Sequence, residues 1–330
     1  MATYNTYNSN NTLGRLSISA SVLKTIAIVT MFIDHFGYSV VNRWEQSVFQ
    51  DIGPQGPITA AFRMIGRIAF ILFAFLLVEG FANTSNRRKY VLRLLAGAAI
   101  SEVPFDLISG SGFFNIWDQN IFFTLTIGFC TIWVLDVLRS RKYTGQPGTD
   151  RTETNRPETP AGNGVSRKER VETIGGKRTN TVLITVLEIL TVLAGMALAE
   201  LVRCDYGCMG VGLIVVFYLF RWRSTLFWAA LIWSFIGHLI TDFFFYLVGL
   251  YKYSLEWGES FVFPDWTSIR INLKQWIPSR LGYTMPGVVF ALVLILRYNG
   301  KKGRQLPKAF YYLFYPMHLL LLYIIMTLIW

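Results

Sequence analysis

Histidine occurs three times in the 330 residues, at His35, His238 and His318, and each lies inside an apolar run. Imidazole is the side chain best suited to gain and lose a proton near neutral pH. A carboxylate beside it orients the ring and raises its basicity. His35 follows Asp34 in Ile28-Val-Thr-Met-Phe-Ile-Asp-His-Phe-Gly37. On a helix two adjacent side chains point about 100° apart, so these two must face different partners. His238 and Asp242 stand four apart, a spacing that predicts carboxylate–imidazole contact; His318 follows Pro316 by two. Arg63 and Arg67 share a helix face, with Glu79 further along, and Glu102 and Asp106 share another around Pro104.

A charge at bilayer depth costs at least about 2.5–3.5 kcal/mol, so each of these residues is a functional candidate. The competing explanation is structural, as interhelical hydrogen bonds and ion pairs. It is favoured for Arg63, Arg67 and Glu79, because a buried Arg needs a nearby carboxylate. It explains less well why every histidine sits in an apolar run. His35, His238 and His318 lack the compact spacing of a zinc motif, so no metal is expected. Cys130, Cys204 and Cys208 show no metal or disulfide framework and are expected as free thiols.

The elements that position these residues are apolar and long. The chain is 53% hydrophobic, 16% aromatic and 15% charged. A soluble protein would carry roughly 25% charged residues, so the composition predicts an all-α polytopic transmembrane helix bundle. Nine stretches qualify as spans: 20–41, 62–82, 90–109, 121–138, 180–202, 207–221, 225–250, 283–298 and 309–329. The shortest, 207–221 and 283–298, predict broken or tilted helices. With the N-terminus in the cytoplasm, 23 Lys and Arg fall on the inner side and 6 on the outer, which predicts N-in and C-out. Thirteen inner residues remain when the long loop is left out. The net charge of +11 is thereby accounted for by topology, and no nucleic-acid partner is expected. The polar tail 1–19 lacks the layout of a cleavable signal, so the first run is expected to stay as a span. Residues 20–139 form the first group of helices and 180–330 the remainder. Between them, 140–179 reads as a disordered basic cytoplasmic loop, and 251–282 as an aromatic outer loop.

Leu23-Lys-Thr-Ile-Ala-Ile-Val-Thr-Met-Phe-Ile-Asp-His-Phe-Gly37 resembles the opening of the TraX family, which is linked to N-terminal acetylation of conjugative pilin. The resemblance continues through Gly66-Arg-Ile-Ala-Phe-Ile-Leu-Phe-Ala-Phe-Leu-Leu-Val-Glu-Gly-Phe81, Asn86-Arg-Arg-Lys-Tyr90 and Ser101-Glu-Val-Pro-Phe-Asp-Leu107. It runs on through Asn120-Ile-Phe-Phe-Thr-Leu125 and Asp205-Tyr-Gly207 to Phe314-Tyr-Pro-Met-His-Leu319. Ile71 stands where family members often have Pro, and 140–179 looks like an insertion.

The resemblance implies a membrane acetyltransferase of the bacterial cytoplasmic membrane, moving acetyl from cytoplasmic acetyl-CoA to an amine or hydroxyl. The acceptor class stays open among a peptide or protein N-terminus, an amino sugar and a small amine. Under it His35 is the base or a transient acetyl carrier, and Asp34 orients a ring or pairs with Arg67, which in turn is placed to stabilise the oxyanion. Glu79, Glu102 and Asp106 are candidates to hold those charges or the acceptor amine, with His238, Asp242, His318 and Asp205 in second line. The CoA phosphates are expected at Arg87, Arg88, Lys89, Arg221, Arg223, Lys301, Lys302 or Arg304, clusters that topology and anionic lipid also explain. The alternative is a proton- or ion-coupled transporter built on the same intramembrane residues, although no inverted repeat is visible.

Overall fold

The structure, a computed structural model, describes residues 17–49, 55–110, 112–115, 118–144, 181–221, 223–258 and 260–330. Most of the 140–179 loop and of the 1–19 tail therefore lies outside the described residues. In lipid every backbone N–H and C=O needs an internal partner, which drives apolar segments into helices. The described residues form α1 (Ala20–Phe36), α2 (Asn42–Val48), α3 (Pro57–Asn83), α4 (Arg87–Ser109), α5 (Ile121–Thr144) and α6 (Thr181–Leu201). They continue with α7 (Gly207–Phe220), α8 (Leu226–Glu256), α9 (Trp266–Ser279), α10 (Met285–Leu296) and α11 (Lys308–Ile329). A π-helical turn at Gly37–Val41 joins α1 to α2, and another at Arg280–Thr284 joins α9 to α10.

Each of the nine predicted stretches lies on one of these rods. Seven are long and apolar enough to cross a membrane, so the chain is a multi-pass membrane protein. The two that fall short are α4, which carries six charged side chains, and α7, which has 14 residues. At 1.5 Å per residue α7 spans about 21 Å, less than the hydrocarbon core of about 30 Å. It is short because the turn before it enters the bundle. Gln119 N–H donates to Arg203 O at 3.1 Å and Asp205 N–H to Gln119 O at 2.9 Å, tying that turn to the start of α5.

Two expectations are corrected. The segment 251–282 is mostly helical: α8 runs to Glu256 and α9 starts at Trp266, capped by the Asp265 carboxylate on Ser268 N–H at 2.9 Å. Low hydropathy made it read as a loop, but α9 and α10 form one rod through the π turn. For the same reason Lys252, Arg270, Lys274 and Arg280, counted as outer-side charges, lie within the rods. Residues 140–144, expected in a loop, complete α5.

α3 is the central helix, packed on α1, α7 and α10. α1 and α3 run antiparallel, and close contact between them depends on glycine. A Cβ at Gly66 would overlap the Asp34 carboxyl group, and where α10 packs on α3 one at Gly287 would overlap Met64 O. Small residues let helix backbones approach in this way. The far end of the α1–α2 rod is fixed by Glu45, fully buried, whose carboxylate accepts from Ile58 N–H at 2.9 Å and Thr59 N–H at 2.8 Å at the start of α3. The near end is fixed by backbone bonds from Ile18, Ala20 and Ser21 to Arg297, Lys301 and Lys302. We call the end carrying Ala20 and Asn83 proximal, and the end carrying Pro57 distal.

Candidate functional site

Asp34 and His35 face different helices, as their adjacency requires. His35 Nδ1 lies 2.6 Å from His318 Nε2 on α11, with the rings stacked at 4.9 Å. His318 Nδ1 lies 2.7 Å from Phe314 O. A carbonyl only accepts, so His318 Nδ1 carries the proton of its neutral ring and Nε2 keeps a lone pair. His35 must then donate from Nδ1, which leaves the lone pair of neutral His35 on Nε2. Nε2 makes no hydrogen bond among the described residues. Tyr315 stands edge-on to both rings, at 5.7 and 5.6 Å, and fixes their planes.

Asp34 turns to α3, where its Oδ2 accepts from Arg63 Nη1 at 2.8 Å. One turn on, Arg67 Nη1 donates to Tyr206 Oη at 3.2 Å. Tyr206 has φ 66°, a left-handed conformation rare for a bulky residue. Its ring stacks on Phe70 at 3.9 Å, and Gly207 follows at φ 39°. A Cβ on Gly207 would meet the Glu200 carboxylate, which accepts from Cys208 N–H at 2.8 Å. The turn is thus bent to deliver Asp205 and Tyr206 to mid-bundle. Asp205 and Tyr206 both line the cavity described next.

Two cavities approach this cluster from opposite ends of α3. The proximal one, about 460 Å³, has Lys24, Arg93, Lys302 and Gln305 at its mouth. Its shaft is apolar, through Phe73, Leu76 and Leu77, and at depth it is lined by Asp34, His35, Gly66, Asp205, Tyr206 and Tyr315. The distal one, about 410 Å³, is lined by Gly56, Arg63, Arg67, Arg280, Tyr283 and Thr284 among others. At the depth of the cluster, carboxylates face the first cavity and guanidinium groups the second.

Several expected pairings are not made. Asp34 pairs with Arg63 rather than Arg67. Asp242 does not reach His238: Arg280 of the π turn binds it through two nitrogens, and His238 Nδ1 bonds Ser234 O at 2.6 Å. A guanidinium fork outcompetes one imidazole for a buried carboxylate. Glu79 lies toward the proximal end, 2.6 Å from Arg221, with Tyr298 on its other oxygen. Glu102 bonds Asn120, and Asp106 accepts from Asn115 N–H at 2.6 Å; neither lines either of these two cavities.

Of the basic clusters only Lys302 lines the proximal mouth; Arg88, Lys89, Arg223, Lys301 and Arg304 do not. Arg87 is spent on Asp136 at 2.7 Å. Lys24, Arg93, Tyr206 and Tyr315 were missed as site residues. The first two are isolated cations inside or beside apolar runs, a signal that was there to be read. The tyrosines carried none beyond their place in motifs. Cys130, Cys204 and Cys208 are free. The facing nitrogens of His35 and His318 bond each other directly at 2.6 Å, and His238 stands apart from them, on α8.

Over 128 residues the chain is 28% identical to a protein of Dichelobacter nodosus described as probable fimbrial assembly protein FimC, serogroup H1. The match covers 36% of this chain and 47% of that relative, so the chain spans about half the length of the curated relative it matches. No solved structure matches. The model of a family described as TraX protein matches residues 19–144 and 171–326, passing over part of the expected insertion. The chain belongs to the TraX family.

Proposed function

We propose that this protein is an acetyltransferase of the bacterial cytoplasmic membrane, using cytoplasmic acetyl-CoA as donor and an amine or hydroxyl as acceptor, with about nine spans, N-terminus in and C-terminus out. The observation that carries the reading is the proximal cavity, which joins a basic mouth to His35 through an apolar shaft. That sequence of linings suits a ligand that is anionic at one end and carries a long uncharged arm. Lys24 and His35 are eleven residues apart on one helix, about 16 Å along its axis. An extended pantetheine arm covers such a span.

When bound there, acetyl-CoA supplies an activated acyl carbon. The protein's own part is a lone pair at His35 Nε2, kept there because His318 holds the Nδ1 proton. That lone pair takes the acceptor's proton as the nucleophile attacks, or itself carries the acetyl group. Tyr206, which lines the same cavity and whose hydroxyl oxygen accepts from Arg67, is placed to donate its O–H to the developing oxyanion.

Purified protein with radiolabelled acetyl-CoA and a panel of amines tests the reading. Labelled product or labelled enzyme, lost in His35→Ala, supports it; neither appearing across the panel sinks it. Gradient-driven uptake into proteoliposomes, indifferent to CoA, would support the transporter instead.

A further inference from the structure

The distal cavity is separated from His35 by little. Arg63 lines it while donating to Asp34 at 2.8 Å, and Asp34 is the residue before His35. Arg63 and Arg67 face the distal cavity from α3, whereas Gly66, between them in sequence, faces the proximal one. One turn of a single helix therefore forms the partition.

The partition is polarised. Asp34 and Asp205 lie on the proximal side, and Arg63, Arg67 and Arg280 line the distal side. Arg63 and Arg280 each have a carboxylate partner, while Arg67 has a neutral hydroxyl. Arg63 Nε is buried and has no hydrogen-bond partner among the described residues. Guanidinium groups with donors to spare, in a concave site partly shielded from water, recognise phosphate or carboxylate by paired hydrogen bonds.

We infer that the distal cavity binds the acyl acceptor and selects one carrying a phosphate or carboxylate beside its nucleophilic amine or hydroxyl. The inference rests on the acetyl-transfer reading of the proximal cavity. The anionic group sits on Arg63, Arg67 and Arg280, and the nucleophile reaches across the partition to the acyl carbon. Its N–H or O–H proton passes to His35 Nε2 as the new C–N or C–O bond forms. The thioester C–S bond breaks, and the CoA thiolate takes the proton from His35. Donor and acceptor thus enter from opposite ends of α3. A cavity of about 410 Å³ holds a small molecule or a lipid head group.

The test places a thiol at the lining residue Ser279, as Ser279→Cys, and reads labelling rates with anionic and cationic methanethiosulfonates of similar size. The parent protein, whose cysteines are buried or half-buried, serves as blank. The anionic reagent is expected to react about tenfold faster, with the ratio falling as salt rises. Phosphoethanolamine should slow the labelling and plain ethanolamine should not. Protection by phosphatidylethanolamine in nanodiscs but not by the free compound would assign a lipid head group; the reverse would assign a solute.

Equal rates for both reagents, or protection by neither the phosphorylated amines nor a carboxylated one such as glycine, would overturn the inference. So would acetylation of a short peptide without acidic groups as efficiently as of any phosphorylated amine. Acetyl-CoA binding, followed by calorimetry on the same preparation, keeps the two claims apart. Its absence sinks the transferase and the acceptor role together, whereas binding with equal labelling rates sinks the anionic selection alone.

Discussion

His35 and His318, 283 positions apart in the chain, share one hydrogen bond of 2.6 Å between stacked rings. Because Phe314 O fixes the His318 tautomer, His318 decides which nitrogen of His35 is basic. His318 is therefore a positioning residue in the proposed reaction. His35→Ala should lower kcat by about 10²–10⁴, the usual worth of a general base. His318→Ala should lower kcat less and leave KM for acetyl-CoA unchanged. His318→Gln should restore much of it, since a side-chain amide oxygen accepts from His35 Nδ1 and its NH₂ group donates to Phe314 O. An inert Gln variant with unchanged thermal stability would refute the tautomer argument.

Asp34 and Arg63 neutralise each other at mid-bundle, with side chains 10% and 24% exposed. Removing one partner strands the other, so Asp34→Asn and Arg63→Gln should each cost roughly 2–4 kcal/mol, at or below the range for breaking a buried pair. The double variant should recover part of that loss. Thermal unfolding of all four proteins in one detergent provides the double-mutant cycle, and strictly additive losses would show that the pair is not coupled. Gly66→Ala should destabilise as well, because its methyl would occupy the space of the Asp34 carboxyl group.

Asp34 and His35 could be read as a site because charge inside an apolar run is expensive wherever it occurs. Their partners could not. Arg63 was visible as a candidate, but nothing local distinguishes it from Arg67 as the mate of Asp34; the choice follows from the α1–α3 register, which Gly66 sets. His318 and Tyr315 reach His35 only because α11 packs beside α1 near the end of the chain. Local spacing misled at His238 and Asp242, where the nearer partner lost to Arg280 from another helix. The apolar stretches located the helices well, since backbone satisfaction in lipid leaves few alternatives. The 251–282 segment failed the same test because α9 is weakly apolar and gains its place by continuing into α10.

Glu45 makes a prediction about the fold alone. It is fully buried and takes two N–H groups at the start of α3, where the helix dipole favours an anion. Glu45→Ala should leave the buried Thr59 N–H without its acceptor and lower the melting temperature, and Glu45→Gln should lower it less. Acetyl-CoA affinity should not move in either variant, because the residue lies at the distal end. Circular dichroism melts read the first effect and calorimetry the second.

The basic residues of the proximal end should divide by whether they line the cavity. Lys24 and Lys302 line the mouth, where the Lys24 ammonium donates to Gln305 Oε1 at 2.6 Å and lies over the Tyr311 ring. Arg221 is engaged by Glu79 at 2.6 Å, and Arg87 by Asp136 at 2.7 Å. A cation that meets phosphate contributes to binding, whereas one committed to a carboxylate contributes to folding. Lys24→Ala and Lys302→Ala should therefore raise KM for acetyl-CoA several-fold each, with kcat nearly constant and the effect shrinking at high salt, as screening of exposed charge requires. Arg221→Gln should instead lower the melting temperature, because it strands the buried Glu79, and should change KM little. Steady-state kinetics at two ionic strengths, set beside melting curves, separates the two classes. A KM effect confined to Arg221 and Arg87 would move the donor site away from the proximal cavity.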